Sequence, residues 1–181
     1  MTILSIKHYE SPELRKLKAR IVFRGDQIRD GEGDLAVLLD SKVCPAGMSA
    51  INGNLAFGAI KGNKTTRSDV VRAYLQSFLD TKVPTSVELP VELVPEHLRH
   101  IVRPCVRLWC SRYGHPESGY HWNERFKSLM TQINGVHLDD FPSNYWLPSY
   151  GLLLSLYVGD ILVSGPEGRH ESFWAELQKH L

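Results

Sequence analysis

The sequence is poor in cysteine, in excess charge of either sign and in long apolar runs. Its 181 residues include three cysteines, none in a Cys-x-x-Cys pair, which excludes a disulfide framework and argues against structural zinc. Its 21 basic and 20 acidic residues give a net charge of +1, so any nucleic-acid site must come from local clustering of cations. The longest apolar run, from Leu152 to Val158, is too short to span a bilayer. The N-terminus also lacks the pattern of a signal peptide, so we expect an intracellular protein with no membrane partner.

The apolar periodicity predicts an α+β fold. Helices are predicted from Met48 to Ile60, from Glu117 to a stop at Gly135, and within residues 167–181. Strands are predicted at 20–23, 65 onward, 102–109, 144–147, 152–158 and 161–164. The strand that begins at 65 runs into a helical turn. Gly159-Asp160 is predicted as the two-residue turn between the last two strands. Consecutive hairpins alternating with helices predict an antiparallel sheet covered by helices on one face.

The segment from Leu156 to Val163 carries the most chemical information. Two apolar strands flank a turn that projects Asp160 at the edge of a sheet. Carboxylates on adjacent strands can hold two divalent cations about 3.5–4 Å apart, which is the arrangement used for phosphoryl transfer. The segment therefore indicates a nucleotidyl-transfer site, although a lone aspartate after a strand is more often a turn residue or a cap.

Four ordered segments resemble the reverse transcriptase of copia-type retrotransposons. Tyr157-Val158-Gly159-Asp160 resembles the Tyr-x-Asp-Asp hairpin with glycine in the first aspartate position. Residues 69–75, Asp-Val-Val-Arg-Ala-Tyr-Leu, are similar to the family's Asp-Val-x-x-Ala-[Phe/Tyr]-Leu segment. Residues 18–25, Lys-Ala-Arg-Ile-Val-Phe-Arg-Gly, resemble a segment of the fingers subdomain, and Ser-Arg-Tyr-Gly at 111–114 followed by Trp122 resembles a later motif. We expect residues 30–64 to match the family poorly.

The resemblance implies a reverse-transcriptase palm at residues 65–181 with a partial fingers region at 1–64. Because little sequence follows the hairpin, we expect no complete thumb, RNase H or integrase, as in a piece of a longer polyprotein. The implied partners are an RNA or DNA template-primer and a deoxynucleoside triphosphate.

The resemblance also implies the roles of individual residues. Asp69 and Asp160 would be the catalytic carboxylates, and with the Val70 carbonyl they would hold Mg²⁺. Tyr74 would be the aromatic gate that excludes a ribose 2′-hydroxyl. Three cations would bind the triphosphate of the incoming nucleotide: Lys18, Arg20 and Arg24. Without the resemblance, the basic run is an ordinary solvated face and Tyr74 an ordinary half-buried aromatic.

Gly159 removes one of three expected acidic side chains, so we expect impaired polymerase activity. Glycine at the first central position suits a type II′ turn, and the hairpin would survive the change. Glu117, at a position where the family has glutamine, adds an anion that should weaken contact with nucleic acid. Two alternatives remain: a non-catalytic remnant that at most binds nucleic acid, and an unrelated α+β metalloprotein in which Asp69 and Asp160 lie far apart.

Overall fold

The computed structural model describes residues 2–36, 45–81 and 83–181, which form a mixed α+β fold and confirm that expectation. The helices of the described residues are α1 (Met48–Gly58), α2 (Ser118–Gln132) and α3 (His170–Leu177). The strands are β1 (Thr2–Lys7), β2 (Lys16–Ile21), β3 (Asn63–Asp69), β4 (Ser86–Glu88), β5 (Cys105–Arg107), β6 (Val136–His137), β7 (Asn144–Leu147), β8 (Leu152–Tyr157) and β9 (Asp160–Pro166). Among these described helices, none is long and apolar enough to cross a membrane.

The largest sheet is antiparallel and has the strand order β3-β9-β8-β7-β6. The two hairpins that join β7, β8 and β9 are the predicted meander. The pairing of β6 with β7 was not predicted, and β3 reaches β9 from earlier in the chain. Alternate residues of β8, Leu152, Leu154 and Leu156, are almost fully buried. Because successive side chains of a strand point to opposite faces, these leucines define the core face of the sheet.

Helices cover both faces of this sheet, so the expectation that they cover one face is wrong. On the core face, Phe126 of α2 packs against Tyr145 with ring centroids 5.8 Å apart, and Tyr145 is the register partner of Leu154. On the opposite face, Asn54 of α1 donates a hydrogen bond of 2.8 Å from Nδ2 to Ser155 Oγ. Ser155 and its neighbours on this second face are therefore also buried.

The helix α3 is attached to the sheet by a chain of hydrogen bonds. Trp174 donates from Nε1 to the Thr66 hydroxyl at 2.9 Å, and that hydroxyl lies 2.8 Å from His170 Nδ1. The other ring nitrogen of His170 lies 3.1 Å from the Gly165 carbonyl and must donate to it. The His170 ring therefore carries its proton on Nε2 and accepts at Nδ1.

Two short ribbons complete the described structure: β1 with β2, and β4 with β5. The predicted strand at 20–23 ends early, at Ile21, because the Phe23 amide donates to the Tyr113 carbonyl at 2.8 Å instead of continuing the ladder. The predicted strand at 102–109 is restricted to β5. The helix predicted from Met48 is confirmed with its end at Gly58. It falls in the range assigned to the fingers region, yet it packs on the five-stranded sheet.

Candidate functional site

The two aspartates singled out by the sequence face each other across neighbouring strands. Asp69 is the last residue of β3 and Asp160 the first residue of β9, and they are register partners. Directly opposed residues of an antiparallel pair have Cα atoms about 4.5–5.5 Å apart. The two aspartates are therefore not far apart, which was the arrangement expected for an unrelated metalloprotein.

The turn that precedes Asp160 differs from the expected one. Tyr157 pairs with Asp160, so the two central residues are Val158 and Gly159. The positive φ of 55° belongs to Val158, and Gly159 is outside the left-handed region. The prediction that Gly159 occupies the first central position is wrong, because the register moves the turn back by one residue.

The strained Val158 is fixed by its surroundings. A positive φ is an outlier for a β-branched residue. Such strain costs on the order of 1–3 kcal/mol and persists only where surrounding contacts impose it. Trp122 of α2 donates from Nε1 to the Val158 carbonyl at 2.7 Å. The Val70 amide donates to the Gly159 carbonyl, also at 2.7 Å. The hairpin tip is thus tied both to α2 and to the segment that follows Asp69.

A side chain at position 159 would point at two of the predicted metal ligands, Asp69 and the Val70 carbonyl. A Cβ atom built on Gly159 would lie 3.0 Å from Asp69 Oδ1, 3.4 Å from the Val70 carbonyl oxygen and 3.6 Å from Ala73 Cβ. An aspartate here would place its carboxylate beside that of Asp69. A side chain at position 159 would therefore belong to the same site as Asp69 and Val70.

The donor atoms at this edge fit magnesium only in part. Carboxylate and carbonyl oxygens are the hard ligands that Mg²⁺ prefers, and Asp69, Asp160 and the Val70 carbonyl supply them. Within the described part of the chain, however, no group of three or more His, Cys, Asp or Glu side chains could hold a metal ion. An aspartate at 159 would add a second acidic side chain directly beside Asp69 and the Val70 carbonyl.

A cluster of cations stands near Asp69. Desolvation lowers the pKa of Lys18 on β2, the cations of Arg20 and Lys7 lower it further, and the Asp69 carboxylate raises it. Lys18 therefore interacts electrostatically both with the other cations of the β1–β2 ribbon, Arg20 and Lys7, and with the Asp69 carboxylate. Lys7 was missed by the sequence reasoning, because only the pairing of β1 with β2 brings it to this cluster.

Arg24, predicted to act with Lys18 and Arg20, has a different neighbour. Its Nη2 lies 3.3 Å from Asp26 Oδ2, and both side chains are more than half exposed. An exposed pair of this kind contributes about 0–1 kcal/mol. Arg24 is thus held weakly and remains accessible to an anion.

The predicted gate residue lies beside the hairpin. Tyr74 follows Asp69 in a single 3-10 turn, Ala73–Gln76. Its ring meets that of Tyr113 edge-on, with centroids 4.8 Å apart. Burial raises the pKa of Tyr74, and the nearby Tyr113 and Tyr157 raise it further. The aromatic residues of three of the four family-like segments therefore meet at one place.

The fourth segment, residues 18–25, is joined to this place through residues 113–116. Gly114 has a φ of +90°, and a Cβ there would lie 2.0 Å from the Phe23 carbonyl oxygen, so only glycine fits. The ring of His115 packs on that of Phe23 with centroids 5.4 Å apart. His115 Nδ1 accepts the Glu117 amide at 3.2 Å, and Nε2 donates to Thr85 Oγ1 at 3.1 Å.

The His115 ring makes stability depend on pH. Burial lowers its pKa below 6.5, Glu117 opposes this and His121 adds to it. Between the folded pKa and pH 6.5, the unfolded chain therefore binds more protons than the folded one. The contribution of neutral His115 to the free energy of unfolding is complete above about pH 6.5 and is lost as pH falls through the pKa of the folded protein. Denaturant titrations from pH 7.5 to 5 should show a smaller loss of stability for His115→Gln than for wild type. Equal slopes would contradict this, and the exposed His97→Gln is the matched control.

No family model matches this chain, and neither a curated protein nor a solved structure is detectably similar to it. The described residues define an α+β chain in which Asp69 and Asp160 are register partners at one sheet edge, with Gly159 beside the Asp69 carboxylate and the Val70 carbonyl.

Proposed function

We propose that this chain is the fingers and palm part of a copia-type reverse transcriptase, an RNA-directed DNA polymerase, impaired by Gly159. The observation that supports it most is the position of Gly159, whose Cβ would lie 3.0 Å from Asp69 Oδ1 and 3.4 Å from the Val70 carbonyl oxygen. The family motif demands an aspartate at this place. If the four sequence segments matched the family by chance, there would be no reason for Gly159, the residue that departs from the motif, to face Asp69 and Val70, which match it.

Each residue of the site has a role in this proposal. Asp69, Asp160 and the Val70 carbonyl would hold magnesium, which would supply charge stabilisation for nucleotidyl transfer. The ring of Tyr74, propped by Tyr113, closes the space that a ribose 2′-hydroxyl would need. Because the protein mainly positions substrates, a 1 Å error in these groups matters.

The cations of the β1–β2 ribbon receive the triphosphate. Lys18 and Arg20 are mutual neighbours and Lys7 lies against Lys18, so their repulsion is relieved when an anion binds between them. Arginine adds bidentate hydrogen bonds to phosphate oxygens. Arg24 joins them only by leaving Asp26.

A non-catalytic remnant is the second candidate, and Gly159 itself favours it. With two carboxylates instead of three, the site loses a bridging ligand while the hairpin keeps its ties to Trp122 and Val70. Such a protein would bind template-primer without turnover.

Primer extension on an RNA template in Mg²⁺ distinguishes the two candidates. We expect little or no extension by the unaltered chain and clear extension by Gly159→Asp. Extension by the unaltered chain would contradict the inferred impairment. Failure of both proteins to extend, with template-primer still bound, would favour the remnant.

The cation cluster predicts a nucleotide-binding defect. Lys18→Ala and Lys7→Ala are each expected to weaken binding of a deoxynucleoside triphosphate roughly tenfold, since a hydrogen bond to a charged group contributes about 1.5–3 kcal/mol. Equilibrium dialysis with template-primer present measures the dissociation constant. The control is Lys61→Ala. Lys61 is exposed and precedes the first residue of β3, at the opposite end of the strand from Asp69, so this variant should bind the nucleotide normally. An unchanged constant for Lys18→Ala would contradict the assignment.

A further inference from the structure

An exposed aromatic and cationic pair lies outside the site described above. From Cys105 to Cys110, exposed and half-buried residues alternate, so Arg107 and Trp109 point outward from the same side of the chain. Trp109 is 64% exposed, and Arg107 Cζ lies 4.3 Å from the centroid of its ring. The guanidinium holds the indole ring in place while leaving it open to solvent.

The charge of Arg107 is available to a ligand. The carboxylate nearest in the ribbon, Glu88 on β4, is already bound by Arg103, whose Nη2 and Nε lie 2.7 and 3.0 Å from Glu88 Oε2. Among the described ion pairs, none includes Arg107. A planar ring beside an uncompensated cation can stack on a nucleobase and attract its phosphate.

The pair lies close to the polymerase site along the chain. Trp109 is four residues from Tyr113, which packs on Tyr74, and four extended residues span at most about 14 Å. A helical nucleic-acid strand advances about 3.4 Å per nucleotide, so roughly four nucleotides cover this distance. A template strand that enters the site beside Tyr113 can therefore contact Trp109 within half a helical turn of the site.

We propose that Arg107 and Trp109 form a stacking platform for the unpaired template strand that enters the site; this rests on the proposed polymerase function. Trp109 stacks on a template base, and Arg107 binds the adjacent phosphate while it fixes the indole ring. A single strand fits better than a duplex, because only unpaired bases expose their faces to a tryptophan. It also fits better than a protein, because the uncompensated cation stands within a few nucleotides of the site.

Fluorescence anisotropy with labelled primer-templates tests the platform without any need for turnover. The duplexes are identical except for a blunt end or a template overhang of about two or about six nucleotides. The unaltered chain should bind the long overhang roughly tenfold more tightly than the blunt duplex, since one stacked base is worth about that factor or more. The short overhang should give little gain, because it does not reach Trp109.

Variants show whether the gain belongs to the platform. Trp109→Ala should abolish the gain without changing blunt-duplex binding, and Arg107→Lys, which keeps the charge but not the planar group, should retain part of it. Lys127→Ala removes the charge of an exposed lysine on α2; it is the control and should keep the whole gain. A gain that persists in Trp109→Ala would overturn the proposal.

The failure of this proposal is distinguishable from that of the polymerase function. If wild type shows no overhang gain while Gly159→Asp extends primers, the platform is wrong and the function stands, and the pair is then better explained as a contact for a protein. If the gain depends on Trp109 while no variant extends primers, the platform stands and the polymerase function falls.

Discussion

Replacing Gly159 by aspartate is expected to raise Mg²⁺-dependent primer extension by on the order of a thousandfold. A bound metal ion supplies several kcal/mol of charge stabilisation, which is lost when a carboxylate that would hold it is missing. Each 1.4 kcal/mol or so of barrier corresponds to a factor of ten in rate. The new carboxylate would start from a Cβ atom 3.0 Å from Asp69 Oδ1 and 3.4 Å from the Val70 carbonyl oxygen. Single-turnover extension of a labelled primer on an RNA template measures the rate.

The backbone permits this substitution. Gly159 has no positive φ, because the strained residue of the turn is Val158. The only tight contact of the added Cβ is with the Asp69 carboxylate, which a small side-chain movement can relieve. Gly159 therefore lacks the conformational reason that usually protects a turn glycine.

Two variants control for the gain at position 159. Gly159→Asn has the same shape as aspartate without the charge, and should stay close to the wild-type rate. Gly168→Asp adds a carboxylate where nothing lies within 4 Å of the new Cβ, and should leave the rate unchanged. Equal rates for Gly159→Asp and Gly159→Asn would contradict a role in metal binding.

Replacing Trp122 by alanine is expected to lower the free energy of unfolding by about 3–5 kcal/mol, the usual range for a buried tryptophan. Trp122 is 2% exposed and packs on Phe126 with ring centroids 5.7 Å apart. Its Nε1 also donates to the Val158 carbonyl. The substitution thus removes core packing and one of the ties that hold the strained turn. Urea or guanidinium titration followed by circular dichroism measures the change.

Trp122→Phe separates the two contributions of this residue. It retains most of the apolar contact but removes the hydrogen bond, whose net contribution is about 0.5–1.5 kcal/mol. The exposed Trp109→Ala serves as the control and should change stability by no more than about 0.5 kcal/mol. If Trp122→Ala costs no more than Trp109→Ala, the described packing of α2 on the hairpin is wrong.

Local sequence patterns were sufficient to predict the elements whose apolar pattern is continuous along the chain. The apolar run of β8 and the periodic apolar positions of α2 both occur where predicted, since burial on one face fixes their period. The turn between β8 and β9 could not be placed in the same way. Its position depends on the register of Tyr157 with Asp160, which puts the positive φ on a valine that local preferences would exclude.

The second layer of helix also depends on distant contacts. Asn54 of α1 is fully buried and bonds to Ser155, 101 residues away. A buried asparagine with this partner cannot be identified from the sequence around it, so the face that α1 covers could not be predicted. The tertiary contact outweighs the local pattern here.

The site was partly accessible to sequence reasoning. Asp69 and Asp160 followed from the motifs, and their pairing places them together. Lys7 has no motif of its own, and only the ladder between β1 and β2 brings it to Lys18. Residues that act through strand pairing are the ones that one sequence does not reveal.

The melting temperature of three proteins, wild type, Gly159→Asp and Gly159→Asn, with EDTA or with Mg²⁺, tests the completed metal site without depending on activity. In EDTA, Gly159→Asp should melt lowest, because its carboxylate faces that of Asp69. Mg²⁺ at about a hundred times its dissociation constant should stabilise this variant by about 2.7 kcal/mol, or about 5–10 °C for a chain of this size. Wild type and Gly159→Asn should respond much less. Equal Mg²⁺ shifts in all three proteins would contradict the assignment of position 159 to the metal site.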